Sequence, residues 1–268
     1  MIERYLTILA TVTAIAILFA GVERLFPAER GQPARRWLFN LAYTPFALAF
    51  ALAIGIAVAP VFARATGMTG GGILPGLGAA GSGPLSQVAF ALAYAFSWDC
   101  MQYGLHRLQH RLPSLWATHR FHHDETALNA TAQGRVHITS YALASLFHVP
   151  VLLLFGPRAP HFVAAFLMFT LWGFVNHANL RFGFGPLAPL LSSPQWHRIH
   201  HSRLPQHRDR NFAVLFPAID MMFGTYWHPR RDEYPATGLD EPERPSLYAA
   251  TIEPLAAWRS LLTGGWKA

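Results

Sequence analysis

Long apolar runs constrain the fold of this chain more than any other feature of its sequence. The first run covers residues 5–26 and the second covers residues 37–62. As helices, both are long enough to cross a hydrocarbon core of about 30 Å. Charged residues make up 13% of the chain and the mean hydropathy is +0.24, whereas soluble domains contain about 25% charged residues. The sequence therefore predicts an integral membrane protein.

Three further apolar segments follow in the chain. Residues 85–108 begin apolar and end polar, which predicts one helix that spans the bilayer and continues out of it. Residues 138–155 and 161–175 are shorter and are separated by a break rich in glycine and proline. The break predicts a helical hairpin whose arms are short for full spanning. We therefore predict an all-α membrane protein with about three spanning helices, a helical hairpin and a histidine-rich helical cap.

Histidines recur at the spacing of metal ligands. His106 and His110 are four residues apart, and two later triplets have the spacing i, i+3, i+4. These triplets are His119, His122 and His123, and His197, His200 and His201. In a helix such positions share one face, so we expect each triplet to converge on a single point. His177 brings the number of candidate ligands to nine, which exceeds the three or four of a zinc site and suffices for two metals.

The glycine-rich loop between the second and third runs contains a misleading motif. Residues 76–81 match the dinucleotide-binding pattern, but that pattern requires a preceding strand and a following helix. Pro75 precedes the match and Ser82-Gly83-Pro84 follows it. We therefore predict a flexible loop and no nucleotide-binding reductase in this chain.

The formal charge of +7 comes almost entirely from arginines that are scattered through loops. No basic run could track phosphates, so we expect no nucleic-acid partner. The histidine-bearing side collects Arg24, Arg30, Arg35, Arg36, Arg107, Arg111, Arg120 and Arg135, and the other side has only Arg4, Arg64 and Arg158. The positive-inside rule then predicts a cytoplasmic cap. The alanine- and arginine-rich composition suggests a bacterial inner membrane.

Four stretches, residues 99–110, 116–137, 176–180 and 193–226, together carry a specific resemblance. In the order and spacing of these motifs, the sequence resembles the fatty acid hydroxylase superfamily, which includes sterol desaturases, lipid 2-hydroxylases and alkylglycerol monooxygenases. The resemblance implies a non-haem di-iron oxygenase that uses dioxygen and two external electrons to hydroxylate or desaturate a lipid. Residues 85–226 would form the catalytic domain, with N-terminal transmembrane helices and the glycine-rich loop in residues 1–84 and a C-terminal cap in residues 227–268.

The resemblance also implies roles for particular residues. The nine histidines would bind both iron ions. Four polar residues, Asp99, Asn179, Asn211 and Asp220, would orient their imidazoles. His137 and His207 lie close to the clusters and are additional candidates for such contacts. Three positions depart from the family pattern, namely Ile138 after His137, Asp124 after the double histidine, and Phe212-Ala213. None of these departures removes a ligand.

Alternative functions remain open at this point. A lipid or sterol desaturase would use the same site. A membrane metal-binding or transport protein is a different class, but transport would require ionisable residues within the spans, where His148 is almost alone. The enzyme would need a membrane lipid as substrate and a separate electron-transfer protein or reductase, which we expect to dock on the basic cap.

Overall fold

The computed structural model describes residues 2–67, 73–74, 83–156, 159–240 and 246–263. The dinucleotide-like motif at residues 76–81 lies outside them. Within the described residues the regular structure is helical. The α-helices are α1 (Ile2–Leu25), α2 (Ala34–Gly67), α3 (Pro84–Arg111), α4 (Pro113–His123), α5 (Ile138–Phe147), α6 (Val149–Phe155), α7 (Ala159–His177), α8 (Pro194–His200), α9 (Pro217–Met222), α10 (Leu247–Thr251) and α11 (Glu253–Leu262).

Three segments of the described chain are long and apolar enough to cross a membrane. They are α1, residues 34–64 of α2, and residues 138–155, which combine α5 and α6. The predicted all-α membrane fold is therefore confirmed. The predicted run at 85–108 does form one continuous helix, α3, but the third apolar span is the segment 138–155 instead. The second half of α3 carries polar and ligand side chains, which lowers its hydropathy.

An aromatic core joins α3 to the two arms of the hairpin. Phe90, Tyr94 and Trp98 of α3 pack with Phe155 of α6 and Phe169 of α7, and all five side chains are buried. The ring of Phe155 lies edge-on to Phe90, with their centroids 5.4 Å apart. This core packs the apolar half of α3 against the hairpin. The polar half of α3 extends past these aromatic side chains.

The N-terminal helix is attached to the rest of the chain through a buried carboxylate. Oε1 of Glu23 accepts hydrogen bonds from the backbone N–H groups of Ala130 at 2.7 Å and Asn179 at 2.8 Å. Nearby, the backbone N–H of Ala28 donates to the carbonyl of Asn179. The end of α1 is therefore fixed directly to the segments that flank His122 and His177.

Two arginines that were counted as topology signals have a structural role. Arg135 is fully buried and Arg36 is 8% exposed. Both lie beside the buried carboxylate of Glu125, at 3.5 Å from Arg135 Nη1 and 3.9 Å from Arg36 Nη1. Ionised groups are retained at such depth only with a partner of opposite charge. These two residues therefore carry little information about membrane orientation.

Candidate metal centre

The nine histidines lie together in two groups. The five-histidine group contains His106, His110, His119, His123 and His200, and the four-histidine group contains His122, His177, His197 and His201. Within each group the potential ligand nitrogens all lie within 4.8 Å of one another. The sequence places these residues far apart, and α3, α4, α7 and α8 bring them to one place.

The triplets do not each converge on one point, so that prediction is wrong. His119 and His123 belong to the five-histidine group while His122 belongs to the other, and His200 is likewise separated from His197 and His201. Positions i+3 and i+4 are about 100° apart around a helix, whereas i and i+4 differ by only about 40°. Each triplet therefore contributes to both groups, which places the two groups side by side.

Local packing fixes the two short ligand helices. Pro113 occupies the first turn of α4, and the buried ring of Phe121 packs edge-on against Tyr43 of α2. Helix α8 begins after Ser193, whose hydroxyl accepts a hydrogen bond from the backbone N–H of Trp196. The Trp196 side chain is completely buried with Tyr103, Phe212 and Ile219. A capped and anchored helix presents its histidines with little freedom.

The spacing of the ring nitrogens fits a metal in each group. Nε2 of His123 is 3.0 Å from that of His110 and 3.1 Å from that of His200. Nε2 of His177 is 3.0 Å from that of His122 and 3.2 Å from that of His197. Nitrogens bound at about 2.1 Å to one metal are about 3.0 Å apart at right angles and about 3.4 Å apart in a tetrahedron. The spacings are therefore compatible with a metal bound in each group.

The opposite ring nitrogens decide which tautomer faces the centre. Nδ1 of His177 lies 2.7 Å from the carbonyl of Gly173, and Nδ1 of His122 lies 3.2 Å from the carbonyl of Arg135. A carbonyl accepts only, so Nδ1 carries the proton and Nε2 presents a lone pair. The lone pairs of His122 and His177 then face each other, and a cation between them removes the repulsion.

One loop orients three ligands of the five-histidine group. The carbonyl of Phe212 accepts from Nδ1 of His106, and the carbonyl of Arg210 accepts from Nδ1 of His200, both at 2.8 Å. The carboxylate of Asp209 lies 3.3 Å from Nδ1 of His110. Such contacts set the tautomer and raise the basicity of a ligand imidazole. Asp209 was not among the predicted site residues, because its partner His110 lies 99 positions earlier in the chain.

Two of the predicted accompanying acids hold this loop and do not bond an imidazole directly. Asp99 accepts from the backbone N–H groups of Val214, Leu215 and Phe216. Asp220 accepts from the backbone N–H groups of Phe212 and Ala213 and from the hydroxyl of Thr225. Both carboxylates are fully buried. The resemblance implied direct contact with the imidazoles. The two carboxylates instead hold the backbone of the loop whose carbonyl groups contact the imidazoles.

The predicted amides also bind backbone. Asn211 donates to the carbonyl of Trp196 and accepts from the backbone N–H of Trp227. Its backbone has a φ of 61°, and that of Asp209 has 58°, which is uncommon for residues other than glycine. Asn179 exchanges hydrogen bonds with the backbone of Glu29. These contacts secure the segments on which the ligands lie.

The two additional histidines lie outside both groups. His137 caps α5 by accepting from Thr139, and its Nε2 lies 3.3 Å from the carbonyl of Thr251. His207 lies between the hydroxyl of Ser202 at 2.9 Å and the carboxylate of Glu233 at 3.1 Å. The hydrogen bonds of His137 and His207 therefore join segments around the site, and none of them is made to an imidazole of either group.

Burial keeps the ligands neutral. It lowers the pKa of His197, His200 and His201 well below the usual value, and neighbouring imidazoles lower it further. A protonated imidazole cannot bind a metal, so a depressed pKa preserves the ligand form at neutral pH. Desolvation disfavours the protonated form of these buried imidazoles, and it therefore favours the neutral form that can bind a metal.

The two groups differ in their access to solvent. All members of the four-histidine group are buried, whereas His106, His110 and His119 of the five-histidine group are partly exposed. The half-buried ring of Trp116 lies against His110 and His123, with centroid distances of 5.2 and 5.4 Å. Phe212, one of the departures from the family pattern, packs on His110 at 4.9 Å. Aromatic rings thus limit the contact of this group with water.

Comparison with known families agrees with this site. The sequence profile described as fatty acid hydroxylase matches residues 91–225. The chain belongs to the fatty acid hydroxylase family. The matched region of this family member contains all nine histidines together with Asp99 and Asp220. The resemblance inferred from the motifs is thereby confirmed.

Sequence alignments with named relatives extend over part of this fatty acid hydroxylase family member. Alkylglycerol monooxygenase from Danio rerio is 35% identical over 129 residues, which are 48% of this chain and 28% of the relative. The Homo sapiens protein of the same name is 32% identical over the same shares. Ornithine lipid hydroxylase OlsE from Rhizobium tropici is 29% identical over 155 residues, which are 58% of this chain and 46% of the relative. The chain thus spans less than half of each relative. No solved structure matches significantly.

Proposed function

We propose that this protein is a membrane non-haem di-iron oxygenase that hydroxylates a C–H bond of a lipid. One iron would be held by the five-histidine group and the other by the four-histidine group. The observation that carries the proposal is the pair of facing Nε2 lone pairs on His122 and His177, 3.0 Å apart. Zinc also binds imidazole, but the five candidate ligands of the larger group exceed the three or four protein ligands of a usual zinc site.

The reaction balances with a separate source of electrons. RH, O2, two electrons and two protons give ROH and H2O. When bound, the iron pair would supply the redox chemistry that acid, base and nucleophile side chains lack. The residues of the chain would hold the imidazoles as neutral ligands and exclude water with Phe212, Trp116 and Trp196. The electrons would come from a separate carrier or reductase.

Membrane helices and the named relatives support a lipid substrate. The relatives act, by their names, on alkylglycerols and on ornithine lipids. In this chain the metal groups lie beyond the aromatic core of α3, α6 and α7. A lipid could therefore approach from the bilayer with its apolar part beside that core. Fatty acyl, sterol and ether lipids all have the required C–H bonds.

We further infer that the metal centre faces the cytoplasm of a bacterial inner membrane. The exposed arginines Arg24, Arg30, Arg35 and Arg111 support this orientation. A C-terminal reporter enzyme that functions only in the cytoplasm should be active in the fusion. Activity of a reporter that functions only outside the cytoplasm would contradict the orientation.

A desaturase with the same site is the second candidate, because loss of a second hydrogen would give an alkene. A membrane metal transporter is the third. The deep burial of the four-histidine group argues against transport, since an ion in transit needs ligands that release it.

Labelled dioxygen distinguishes these functions. Cells with and without the gene are grown under ¹⁸O2 and their lipids are compared by mass spectrometry, with a His200→Ala variant as the matched inactive control. The proposal predicts a lipid with one added ¹⁸O atom, found only with the unmodified gene. A lipid that has lost two hydrogens and gained no label would identify a desaturase. Unchanged lipids would contradict both enzyme functions.

A further inference from the structure

One of the three partly exposed histidines in the five-histidine group is contacted by an exposed residue. His110 is a ligand candidate whose side chain is 9% exposed, and the carboxylate beside its Nδ1, that of Asp209, is 67% exposed. Electron transfer between proteins slows steeply with distance, so a carrier must approach the most accessible ligand. The contact between Nδ1 of His110 and exposed Asp209 offers one short route from a candidate ligand to the surface.

Arginines surround this contact. Arg208 is adjacent to Asp209 in sequence, and its side chain is 66% exposed. Arg107 and Arg111 are on the same turn of α3 as His110, and Arg111 is exposed. The hydrogen bond with His110 is the largest cause that lowers the pKa of Asp209, and the charges of Arg111 and Arg107 lower it further. Two positive charges therefore act on this carboxylate, and Arg208, which pairs with exposed Asp240 at 3.5 Å, is a third arginine next to it in the chain.

We propose that Arg107, Arg111, Arg208 and Asp209 form an electron-input face, which docks an acidic one-electron carrier protein and passes electrons through His110 to the five-histidine group. This inference rests on the proposed function and adds the docking place, the charge of the partner and the metal reduced first. Each transfer oxidises the carrier by one electron and reduces the metal at the five-histidine group by one. Two transfers supply the two electrons of the hydroxylation.

The arginines of the electron-input face complement the negative charge of an acidic carrier protein. The second group is buried on every ligand, so a carrier at this face meets the five-histidine group first. Opposite charges on docking surfaces raise association rates by about 10- to 1,000-fold, and salt reduces the gain. The same arginines could instead attract anionic lipid headgroups, and the experiment must separate these partners.

The test uses the full-length, iron-loaded protein in detergent, with an acidic plant-type [2Fe–2S] ferredoxin as the probe. Stopped-flow absorbance follows reoxidation of the reduced ferredoxin, and dithionite reduces the iron in parallel. The variant is Arg111→Glu with Arg208→Glu. The matched control, Arg24→Glu with Arg30→Glu, makes the same change in net charge at two exposed arginines, one in the last turn of α1 and one between α1 and α2.

We expect the Arg111 and Arg208 variant to react about tenfold more slowly with ferredoxin at low salt, and the difference to shrink near 500 mM salt, where the Debye length is about 4 Å. Its iron content and its reduction by dithionite should equal those of the unmodified protein. The control should stay within about twofold.

Other outcomes overturn the proposal. Equal slowing in both variants would show a general charge effect, and unchanged rates would place the docking elsewhere. The measurement is repeated in anionic lipid nanodiscs, and slowing that occurs only there would assign the face to the membrane surface. Reduction of the unmodified protein by dithionite but not by ferredoxin would also refute the docking. A protein that binds no iron would instead refute the proposed function.

Discussion

Asp220→Asn should loosen one metal group and leave the other intact. Oδ1 of Asp220 accepts from the backbone N–H of Phe212 at 2.8 Å and from the Thr225 hydroxyl at 2.7 Å, while Oδ2 accepts from the backbone N–H of Ala213 at 2.9 Å. Asparagine has one oxygen, so one buried backbone N–H would face an NH2 group. An unpaired buried N–H costs about 1–3 kcal/mol, and Asp220→Ala, which frees two, should cost about 2–6 kcal/mol.

The metal effect follows from the carbonyl of Phe212, which lies 2.8 Å from Nδ1 of His106. If the backbone at Phe212 shifts, this contact weakens, and loss of such contacts typically lowers metal affinity about 10- to 100-fold. The assay combines thermal unfolding in detergent with chelator titration of the metal-loaded protein. A His197→Ala background, which leaves only the five-histidine group complete, identifies the group that releases its metal.

Asp232→Asn is the matched control, because the Asp232 carboxylate is 85% exposed beside Arg181 and should change stability by less than about 0.5 kcal/mol. The reasoning would be refuted if Asp220→Asn unfolded like the control. It would also be refuted if the four-histidine group lost its metal first.

Two further substitutions test the packing around the ligands. Arg135→Met should destabilise the protein by about 3–5 kcal/mol in thermal unfolding, because it removes one partner of the buried Glu125 carboxylate. The control Arg181→Met, at an exposed ion pair, should cost less than about 1 kcal/mol. Equal effects of the two substitutions would contradict the structural role of Arg135. Glu23→Gln should cost less than Glu23→Ala, because its oxygen can still accept both backbone hydrogen bonds even when the contact with the Trp37 side chain is lost. Glu23→Ala frees two N–H groups and should cost about 2–6 kcal/mol. Equal unfolding temperatures for these two variants would show that the bonds add nothing.

Local patterns made the candidate ligands predictable. His106 and His110 are separated by one turn of a continuous helix, and His177 was added from its position at the end of the predicted hairpin, although no spacing connects it to the others. The division into groups was not predictable, because adjacent residues such as His122 and His123 face different centres. Helical geometry rotates neighbouring side chains apart, and the packing of α4 against α3 and α11 decides where each one points.

The residues that orient the ligands were the least predictable part. Most of the acceptors are backbone carbonyls, such as those of Gly173 and Phe212, and these leave no trace in the choice of side chain. Asp99 and Asp220 were identified as important, but their contacts with backbone N–H groups depend on a loop distant in sequence from Asp99. Arg135 resembled a topology signal and is instead buried under α4.

Metal content tests the central proposal most directly. The protein is expressed with iron and its metals are counted by mass spectrometry, together with oxygen consumption, in the unmodified chain and in His200→Ala and His122→Ala. These variants each remove one ligand from a different group. We predict two irons per unmodified chain, a lower content in each variant and no oxygen consumption in either. A single zinc that both variants retain would contradict the two-iron centre.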